Sequence, residues 1–248
     1  MIILKSEREI QYMREAGRVV ARTRAELEKA VAPGVRTRDL DQMAEEFIRK
    51  QGATPAFLGY NDFPATLCTS INGQVVHGIP GPRRLQEGDI LSIDFGAILN
   101  GYYSDAAATF PVGKVTEEAA RLMRVTRESL ERAIQAAYPG NHLSDISFNI
   151  QSWVEEHGFS VVRDYVGHGI GRKLHEDPQV PNFGPPGMGP VLRPGMTLAI
   201  EPMVNQGGYQ VHTEKDNWTV VTDDGSLSAH FEETLAIVED GPEILTKL

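Results

Sequence analysis

Apolar residues recur every three to four positions in two stretches near the start of the chain, which is the spacing of one helix face. The first stretch follows Ser6, whose pairing with Glu9 is typical of a capping box. Pro33 and Gly34 end it, and Thr37 is predicted to cap the second stretch. The apolar positions are Ile10, Met13, Val20, Leu27 and Val31, then Leu40, Met43, Ala44, Phe47 and Ile48. We therefore predict two amphipathic helices.

A strand-like pattern follows over about 57–112, broken by Gly, Pro and Asn-Gly. The same order then recurs, because a long helical pattern opens at Thr116, a second covers about 144–157, and strand-like residues run to the end. Helices and hairpins segregated in this way indicate an α+β fold with antiparallel sheet covered by helices. We predict two pseudo-symmetric halves, about 1–112 and 113–248, within one catalytic domain, 1–248.

The two halves also match residue by residue. Leu85–Asp94 aligns with Leu192–Glu201, 107 positions later, and both segments end in an acid after an apolar run. Other pairs, such as Gly52 with Gly158, are 106 positions apart. A period near half of the chain indicates internal pseudo-symmetry rather than an array of short repeats. Two related acids from two halves are therefore expected to meet at one site between them.

Charge and cysteine content narrow the function classes. The formal net charge of −10 argues against a general nucleic-acid or membrane binder, which would normally be basic. Cys68 is the only cysteine, so an intramolecular disulfide and a cysteine-based zinc module are both excluded. The first apolar residues are too few for a secretory signal, and no run approaches the roughly 18–20 residues of a membrane span. A cytoplasmic protein is expected.

A hairpin in the first half carries two acids. Asn100-Gly101 is a strong signal for a two-residue turn between antiparallel strands. In that register Gly96 lies opposite Asp105, and Asp94 lies on the same face as Gly96. The two carboxylates are then diagonal neighbours that can share an ion, for which Gly96 leaves room. A solvated hairpin face with two incidental acids is the alternative.

The second half supplies further candidate ligands. Glu201 repeats Asp94, and Glu232 lies 31 residues after Glu201, where it can pair with it as Asp105 does with Asp94. His168 sits between two glycines, where the backbone can turn tightly and the imidazole can project. Four carboxylates and one imidazole suit Mn(II), Fe(II), Co(II) or Zn(II). Their negative charge is enough for two divalent ions.

With these residues the chain resembles the type I methionine aminopeptidases, metallopeptidases of family M24 with the pita-bread fold. The resemblance covers essentially the whole chain and is of the compact bacterial style, since the spacing of the candidate ligands leaves no space for the inserted subdomain of type II enzymes. The matching pieces are Tyr165–Asn182, the two-acid hairpin, Glu201-Pro202-Met203 and Phe231-Glu232.

The resemblance implies a role for each candidate ligand. Asp94 and Glu232 would bridge two divalent metal ions. Asp105 would complete the site of one ion, and His168 and Glu201 that of the other. The ions would acidify the water that attacks the scissile carbonyl.

The resemblance also implies catalytic and substrate-binding residues. His77 and His175 would hydrogen-bond the scissile peptide, and Glu201 would carry the proton of the attacking water. His230 either tunes the surroundings of Glu232 or is neutral. The implied methionine pocket consists of Tyr60, Phe63, Cys68, Trp218 and, where some members have Phe, Leu174. Without the resemblance, the pocket residues would be interpreted as ordinary core.

The implied function is cotranslational removal of the initiator methionine, with preference for a small second residue. The expected partners are nascent polypeptide N-termini and, transiently, the ribosome, and a monomer is expected. Arginines along the first helix are candidates for the ribosome contact, although a solvated helix face is the alternative: Arg8, Arg14, Arg18, Arg22 and Arg24. No membrane or specific nucleic acid is expected.

Two other functions remain open. An Xaa-Pro aminopeptidase or prolidase resembles the same fold and uses a similar ligand set, but usually carries a large additional N-terminal domain. A non-catalytic peptide-binding relative typically lacks one or more metal ligands, whereas all five are present here.

Overall fold

Two pairs of helices flank the strands, one pair in each half of the chain. The computed structural model describes all residues from Met1 to Leu248. The helices are α1 (Glu7–Ala30), α2 (Thr37–Lys50), α3 (Glu117–Ala136) and α4 (Leu143–Glu156). A short 3₁₀ turn covers Tyr60–Asp62. None of the four helices combines the length and apolarity needed to cross a bilayer. The predicted helix–helix order of both halves is confirmed.

The local sequence signals predict the N-terminal cap of α1 correctly but not that of α2. The Ser6 hydroxyl accepts a hydrogen bond from the Glu9 amide, and the Glu9 carboxylate accepts one from the Ser6 amide, which confirms the capping box. The prediction for Thr37 is wrong by one residue, because Arg36 occupies the cap position of α2. The Thr37 hydroxyl is instead engaged with the backbone of Gly81.

The strands form three antiparallel sheets. They are β1 (Thr54–Pro55), β2 (Leu67–Ile71), β3 (Gln74–Val76), β4 (Ile90–Leu99), β5 (Tyr102–Pro111), β6 (Ser160–Val161), β7 (Gly167–Gly169), β8 (Glu176–Val180), β9 (Thr197–Ile200), β10 (Met203–Asn205), β11 (Val211–Thr213), β12 (Val220–Thr222), β13 (Ser228–His230), β14 (Glu232–Val238) and β15 (Gly241–Ile244). The central sheet has the order β1-β4-β5-β14-β9-β7-β8, with β2 beside β4 and β15 beside β14. Two three-stranded sheets complete the fold, in the orders β13-β10-β6 and β11-β12-β3.

The two halves of the chain meet at one seam of the central sheet. β4 and β5 pair along their whole length in the first half, and β14 pairs with β9 in the second. β5 and β14 join the halves at two register positions, Glu232 with Ala107 and Glu233 with Ala106. Helix α1 packs against β4 and β5, and α3 packs against β9. The antiparallel sheet covered by helices confirms the predicted α+β class.

One apolar core continues beneath both halves. It includes Leu27 of α1, Ile93 of β4, Val125 of α3 and Leu198 of β9, all at most 1% exposed. Burial of one such aliphatic side chain contributes about 1.5–3 kcal/mol. The strands on both sides of the seam are therefore packed against the same apolar core.

Candidate active site

Acidic residues of both halves lie on one face of the central sheet. Ala107 of β5 pairs with Asp94 on one side and with Glu232 on the other, so these residues form a row across three strands. Asp105 is two residues from Ala107 and shares its face. The small Ala107 side chain leaves the space between the flanking carboxylates open.

In the second half of the chain, the two acids Glu201 and Glu232 pair in a different register from Asp94 and Asp105. The β14–β9 ladder pairs Glu233 with Ile200, and one further position places Glu201 directly across from Glu232. The acids of the first half are instead diagonal neighbours. His168 of β7 pairs with Ala199 of β9, the strand that ends immediately before Glu201. The predicted meeting of both halves is confirmed, although the second pair of acids does not reproduce the register of the first.

The hairpin has the predicted turn and pairing. Asn100 and Gly101 have φ angles of 54° and 77°, and they join β4 to β5 as a two-residue turn. Gly96 lies opposite Asp105, as predicted. A Cβ atom at Gly96 would lie 2.9 Å from the Ala56 Cβ. The space beside Gly96 is therefore used by Ala56, and the prediction that it accommodates an ion is wrong.

His168 presents a lone pair to the acids. Its Nδ1 lies 2.9 Å from the carbonyl oxygen of Gly169, which assigns the ring proton to Nδ1 because a carbonyl can only accept. Burial lowers the pKa of His168 to about 4, so the ring is neutral near pH 7 and Nε2 carries no proton. Nε2 is 3.6 Å from Asp105 Oδ2 and 3.6 Å from Glu201 Oε1. No hydrogen bond joins these three acceptors, whereas a cation between them would bind all three.

Burial opposes the charges of all four acids. It raises the pKa values of Asp94, Glu201 and Glu232 well above the ordinary range, and the neighbouring carboxylates raise them further. Burial raises the pKa of Asp105 to about 6, while a hydrogen bond from Thr234 opposes that effect. Without positive charge among them, Asp94, Glu201 and Glu232 tend to keep protons at neutral pH, whereas Asp105 is mostly ionised there.

The donor set fits divalent metal ions. One ligand atom each from Asp105, His168 and Glu232 lies within 4.8 Å of the others. Oδ1 of Asp94 is buried and has no hydrogen-bond partner. Clustered carboxylate oxygens with one imidazole nitrogen are typical ligands of first-row divalent metals. We call the five predicted ligands, Asp94, Asp105, His168, Glu201 and Glu232, the acidic floor.

Two neighbours of the acidic floor were incompletely described by sequence reasoning. Thr234 was missed; its Oγ1 lies 2.9 Å from Asp105 Oδ1 and accepts a hydrogen bond from the Asp105 amide. Its position two residues after Glu232 on a strand was an available signal. His230 was expected to affect Glu232 if it had a role, but its Nε2 is 3.6 Å from Glu201 Oε2 and has no hydrogen-bond partner.

A cavity of about 220 Å³ opens onto the acidic floor. The structure brings together all seven residues predicted to contact substrate, namely Tyr60, Phe63, Cys68, His77, Leu174, His175 and Trp218. We call these seven residues the pocket wall. Sequence reasoning assigned no role to six further lining residues, Phe57, Asn61, Val76, Tyr165, Val166 and Met203. The position of Tyr165, Val166 and Met203 in segments that match the family was an available signal, whereas Phe57 and Asn61 lie in a loop and a 3₁₀ turn without one.

Aromatic contacts organise the pocket wall. The rings of Phe63 and Trp218 meet edge to face with centroids 5.0 Å apart. The Tyr60 hydroxyl lies 2.7 Å from Nδ1 of His175. Cys68 is buried, and burial raises the pKa of its thiol well above the ordinary value, so the sulfur stays protonated. A protonated thiol is a weak nucleophile and suits an apolar wall.

The two histidines of the pocket wall are neutral near pH 7. Burial lowers the pKa values of His77 and His175 to about 4. His77 has a φ angle of 60°, which costs free energy for a residue other than glycine. Its ring packs edge to face against Tyr165 and Trp218, with centroids 5.5 and 6.3 Å away. These contacts hold the imidazole over the cavity.

Comparisons with known proteins agree with this geometry. The family model for metallopeptidase family M24 matches residues 11–239. A methionine aminopeptidase of Clostridium acetobutylicum is 60% identical, over 99% of this chain and 99% of its own length. The crystal structure of a methionine aminopeptidase from Thermotoga maritima matches with a TM-score of 0.99 and 51% identity, covering 100% of both chains.

A prolidase is similar over the same region but less closely. The structure of the prolidase from Pyrococcus furiosus matches with a TM-score of 0.80 and 25% identity, covering 99% of this chain and 66% of the prolidase. The structural matches together confirm the predicted pita-bread fold.

Proposed function

Because the chain belongs to metallopeptidase family M24 and is a type I methionine aminopeptidase, we propose that its substrates are nascent polypeptides, from which it removes the initiator methionine when the second residue is small. The observation that carries this proposal is the combination of an acidic floor and an apolar wall around one cavity. The floor fits the chemistry of peptide hydrolysis, and the wall fits a thioether side chain.

We propose that the acidic floor holds two divalent ions, Co(II), Mn(II), Fe(II) or Zn(II). Asp94 and Glu232 flank Ala107 in register and would bridge the ions. Asp105 would complete the site of one ion, and His168 and Glu201 that of the other. When bound, the ions would supply positive charge that acidifies a water molecule and polarises the scissile carbonyl.

We propose that Glu201 moves a proton. Its carboxylate lines the cavity and its side chain is 14% exposed, so it would reach both the floor and a bound peptide. Burial and the neighbouring acids raise the pKa of Glu201, which suits a group that takes a proton from water and returns it to the leaving amine.

His77 and His175 would hydrogen-bond the scissile peptide as neutral imidazoles. A Tyr60 hydroxyl that donates to Nδ1 of His175 leaves the ring proton on Nε2, where it can be donated to a carbonyl oxygen on which negative charge develops. His77 lines the same cavity, with its ring against Trp218. The two rings would orient the peptide over the floor.

The rest of the pocket wall would bind the methionine side chain. Phe63, Trp218 and Cys68 offer ring edges and a sulfur atom to a flexible thioether, and Leu174 offers an aliphatic surface. The free amine would lie over the acidic floor.

The ribosome contact that we propose involves fewer arginines than the five predicted along α1. Arg14 and Arg24 form ion pairs with carboxylates at 2.6 and 2.7 Å, which neutralise them. Arg8, Arg18 and Arg22 are exposed and form no ion pair, and the Arg8 guanidinium lies over the Tyr12 ring. Arg18 and Arg22 lie one helical turn apart on α1, so their charges are adjacent. We propose that these two residues make the contact. Reduced co-sedimentation of Arg18→Glu/Arg22→Glu with ribosomes, at unchanged activity on a tripeptide, would support it.

We further propose that residues 1–248 act as one catalytic domain and as a monomer in the cytoplasm. The support is that the two halves of one chain together supply the acidic floor and the pocket wall. Sedimentation equilibrium at enzyme concentrations used for assays tests the monomer directly.

Metal reconstitution tests the enzymatic proposal. The metal-stripped protein is refilled in turn with Mn(II), Fe(II), Co(II) or Zn(II) and given Met-Ala-Ser, Met-Ile-Ser and Ala-Pro-Ala. We expect metal-dependent release of methionine from Met-Ala-Ser, much slower release from Met-Ile-Ser, and no cleavage of Ala-Pro-Ala.

Other outcomes would select the rival functions. Cleavage of Ala-Pro-Ala alone would assign the chain to the prolidase-like activity. Metal binding without cleavage of any peptide would favour a peptide-binding protein. Equal rates on Met-Ala-Ser and Met-Ile-Ser would remove the proposed preference for a small second residue.

A further inference from the structure

The connection between β7 and β8 carries part of the pocket wall but is weakly held by its own backbone. Leu174 and His175 lie at its end, immediately before Glu176 begins β8. Residues 172–175 make no backbone hydrogen bond to a neighbouring strand. The position of His175 in the cavity therefore depends on contacts made by side chains around this connection.

Besides the Tyr60 hydroxyl on the His175 ring, one contact of this kind comes from the N-terminal segment before α1. Lys5 Nζ lies 2.5 Å from Glu176 Oε2, and the two side chains are only 3% and 7% exposed. The other oxygen of Glu176 accepts a hydrogen bond from the Lys173 amide at 3.1 Å. Glu176 thus links Lys5 to the backbone of the same connection that carries His175.

The backbone is shaped around the Lys5 side chain. A Cβ atom at Gly171 would lie 2.4 Å from Lys5 Cε and 2.9 Å from Glu176 Oε1, so a larger residue there would displace the ends of the two paired side chains. The Lys5 amide donates a hydrogen bond to the Gly195 carbonyl at 2.7 Å, which anchors the segment to the residues before β9. Both ends of Lys5 are therefore fixed, the backbone amide by Gly195 and the ammonium group by Glu176.

We propose that Lys5 is a positioning residue for the reaction: through Glu176 it holds Leu174 and His175 against the cavity. Lys5 itself does not reach the cavity lining. The inference rests on the proposed function, in which His175 hydrogen-bonds the scissile peptide.

Loss of Lys5 would move the connection because a buried carboxylate would lose its counter-ion. An unpaired buried charge is strongly unfavourable, so Glu176 would turn toward solvent. That movement would release the Lys173 amide and displace the adjacent His175. Displacement of a positioning group by about 1 Å can cost roughly 100-fold in rate.

The test compares Lys5→Met and Glu176→Gln with a matched control, Arg14→Met. Arg14 also belongs to the N-terminal region and pairs with a carboxylate, Glu243, at 2.6 Å, but it does not line the cavity. Each substitution is made alone and together with His175→Ala. Glu176→Gln is nearly isosteric, so it keeps the test informative if Lys5→Met does not fold.

Two measurements separate positioning from general stability. The first is kcat/KM on Met-Ala-Ser with the metal-reconstituted enzyme. We expect Lys5→Met to lower it about 10- to 100-fold, mostly in kcat, but less than about 2-fold when His175 is already alanine. The second is amide hydrogen exchange of the segment 171–177, which should accelerate in Lys5→Met and Glu176→Gln but not in Arg14→Met.

The outcomes that overturn the proposal are specific. Equal losses of kcat/KM with and without His175 would mean that Lys5 acts independently of it. Exchange of 171–177 as slow as in Arg14→Met would show that Lys5 does not hold the connection. If His175→Ala alone keeps wild-type activity, the proposed role of His175 fails, and the exchange measurement alone still decides whether Lys5 anchors the segment.

Discussion

The acidic floor and the pocket wall border the same cavity but are built in different ways. The floor residues project from paired strands or follow them directly, and three of them lie on the three longest strands, Asp94, Asp105 and Glu232. The wall residues come mostly from loops, a 3₁₀ turn and short strands. Hydrogen-bonded ladders position the floor, whereas ring contacts and side-chain hydrogen bonds position the wall.

The electrostatic properties of the two regions also differ. Burial raises the pKa values of the floor acids, because ionised carboxylates at these positions lose hydration and repel one another. A bound cation would offset both effects. Burial lowers the pKa values of the wall histidines, which keeps them neutral. Changes in the floor should therefore alter metal binding, pH dependence and activity together, whereas changes in the apolar part of the wall, away from His77 and His175, should alter substrate affinity alone.

The largest expected effect comes from removing one floor carboxylate, with Glu232→Gln. Activity should fall by more than the roughly 10- to 100-fold that loss of an outer partner of a metal site costs. Metal content after dialysis should fall as well. The metal-free variant should have a higher Tm than the metal-free wild type, because a neutral amide replaces a buried carboxylate with a raised pKa. Full metal content together with full activity would show that Glu232 is not a ligand.

A second effect is the pH dependence of Asp105→Asn in metal-free protein. The folded-state pKa of Asp105 is raised to about 6, so between about pH 4 and 6 the folded protein holds a proton that the unfolded chain has lost. This carboxyl therefore makes the wild type less stable as pH rises through that window. Denaturant unfolding should show the variant gaining on the order of 3 kcal/mol over the wild type between pH 4 and pH 7.

Asp224→Asn provides the control with the opposite sign. Hydrogen bonds from Ser226 lower the pKa of Asp224, so this carboxylate stabilises the folded protein above its unfolded pKa and loses that effect as pH falls. Asp224→Asn should therefore be less stable than the wild type at neutral pH, with the difference shrinking in acid. A difference for Asp105→Asn that does not change with pH would remove the electrostatic distinction between floor and wall.

A smaller effect is expected for Thr234→Val, which keeps the floor ligands and removes a hydrogen-bond partner of Asp105. Metal affinity measured by calorimetry should fall about 10- to 100-fold, and stability should fall by about 1 kcal/mol. Thr126→Val is the matched control, since its buried hydroxyl bonds only the Leu122 carbonyl at 2.8 Å. Equal metal affinity in the two variants would contradict the supporting role of Thr234.

The smallest effect is expected in the pocket wall, for Leu174→Met. The two side chains have similar volumes, so stability should change by less than about 1.5 kcal/mol. KM for Met-Ala-Ser should shift by less than about 10-fold, because only contacts with the methionine side chain change. kcat and metal affinity should stay at wild-type values. A change in metal affinity would show that floor and wall are coupled.

The residues of the acidic floor could be predicted from the sequence because the signals that indicate them are local and periodic. Asn100-Gly101 specifies the register that places Gly96 opposite Asp105, and the repeat of the Asp94 segment at Glu201 indicates that the two halves converge. The order of helices and strands followed from apolar spacing. The resemblance to a family added the roles, which spacing alone does not provide.

Other features could not be predicted because they depend on distant neighbours. The use of the space beside Gly96 by Ala56 arises from packing of β1 and the following residues, which no local pattern reports. The direction of His230 toward Glu201 depends on the pairing of β13 with β10, which sets His230 opposite Met203, two residues after Glu201. Thr37 has the right residue type for a cap, but a tertiary contact with Gly81 takes its hydroxyl. Tertiary contacts override local preference at each of these positions.

The narrow seam between β5 and β14 has a consequence for when the site forms. The β4–β5 hairpin is closed by a two-residue turn and can form early, since its contacts are local. Glu232 joins Ala107 across 125 residues of sequence, a contact that must wait for a long loop to close. The cavity therefore has no complete floor until residue 232 has been synthesised and docked. A protein that trims growing chains is itself inactive through most of its own growth.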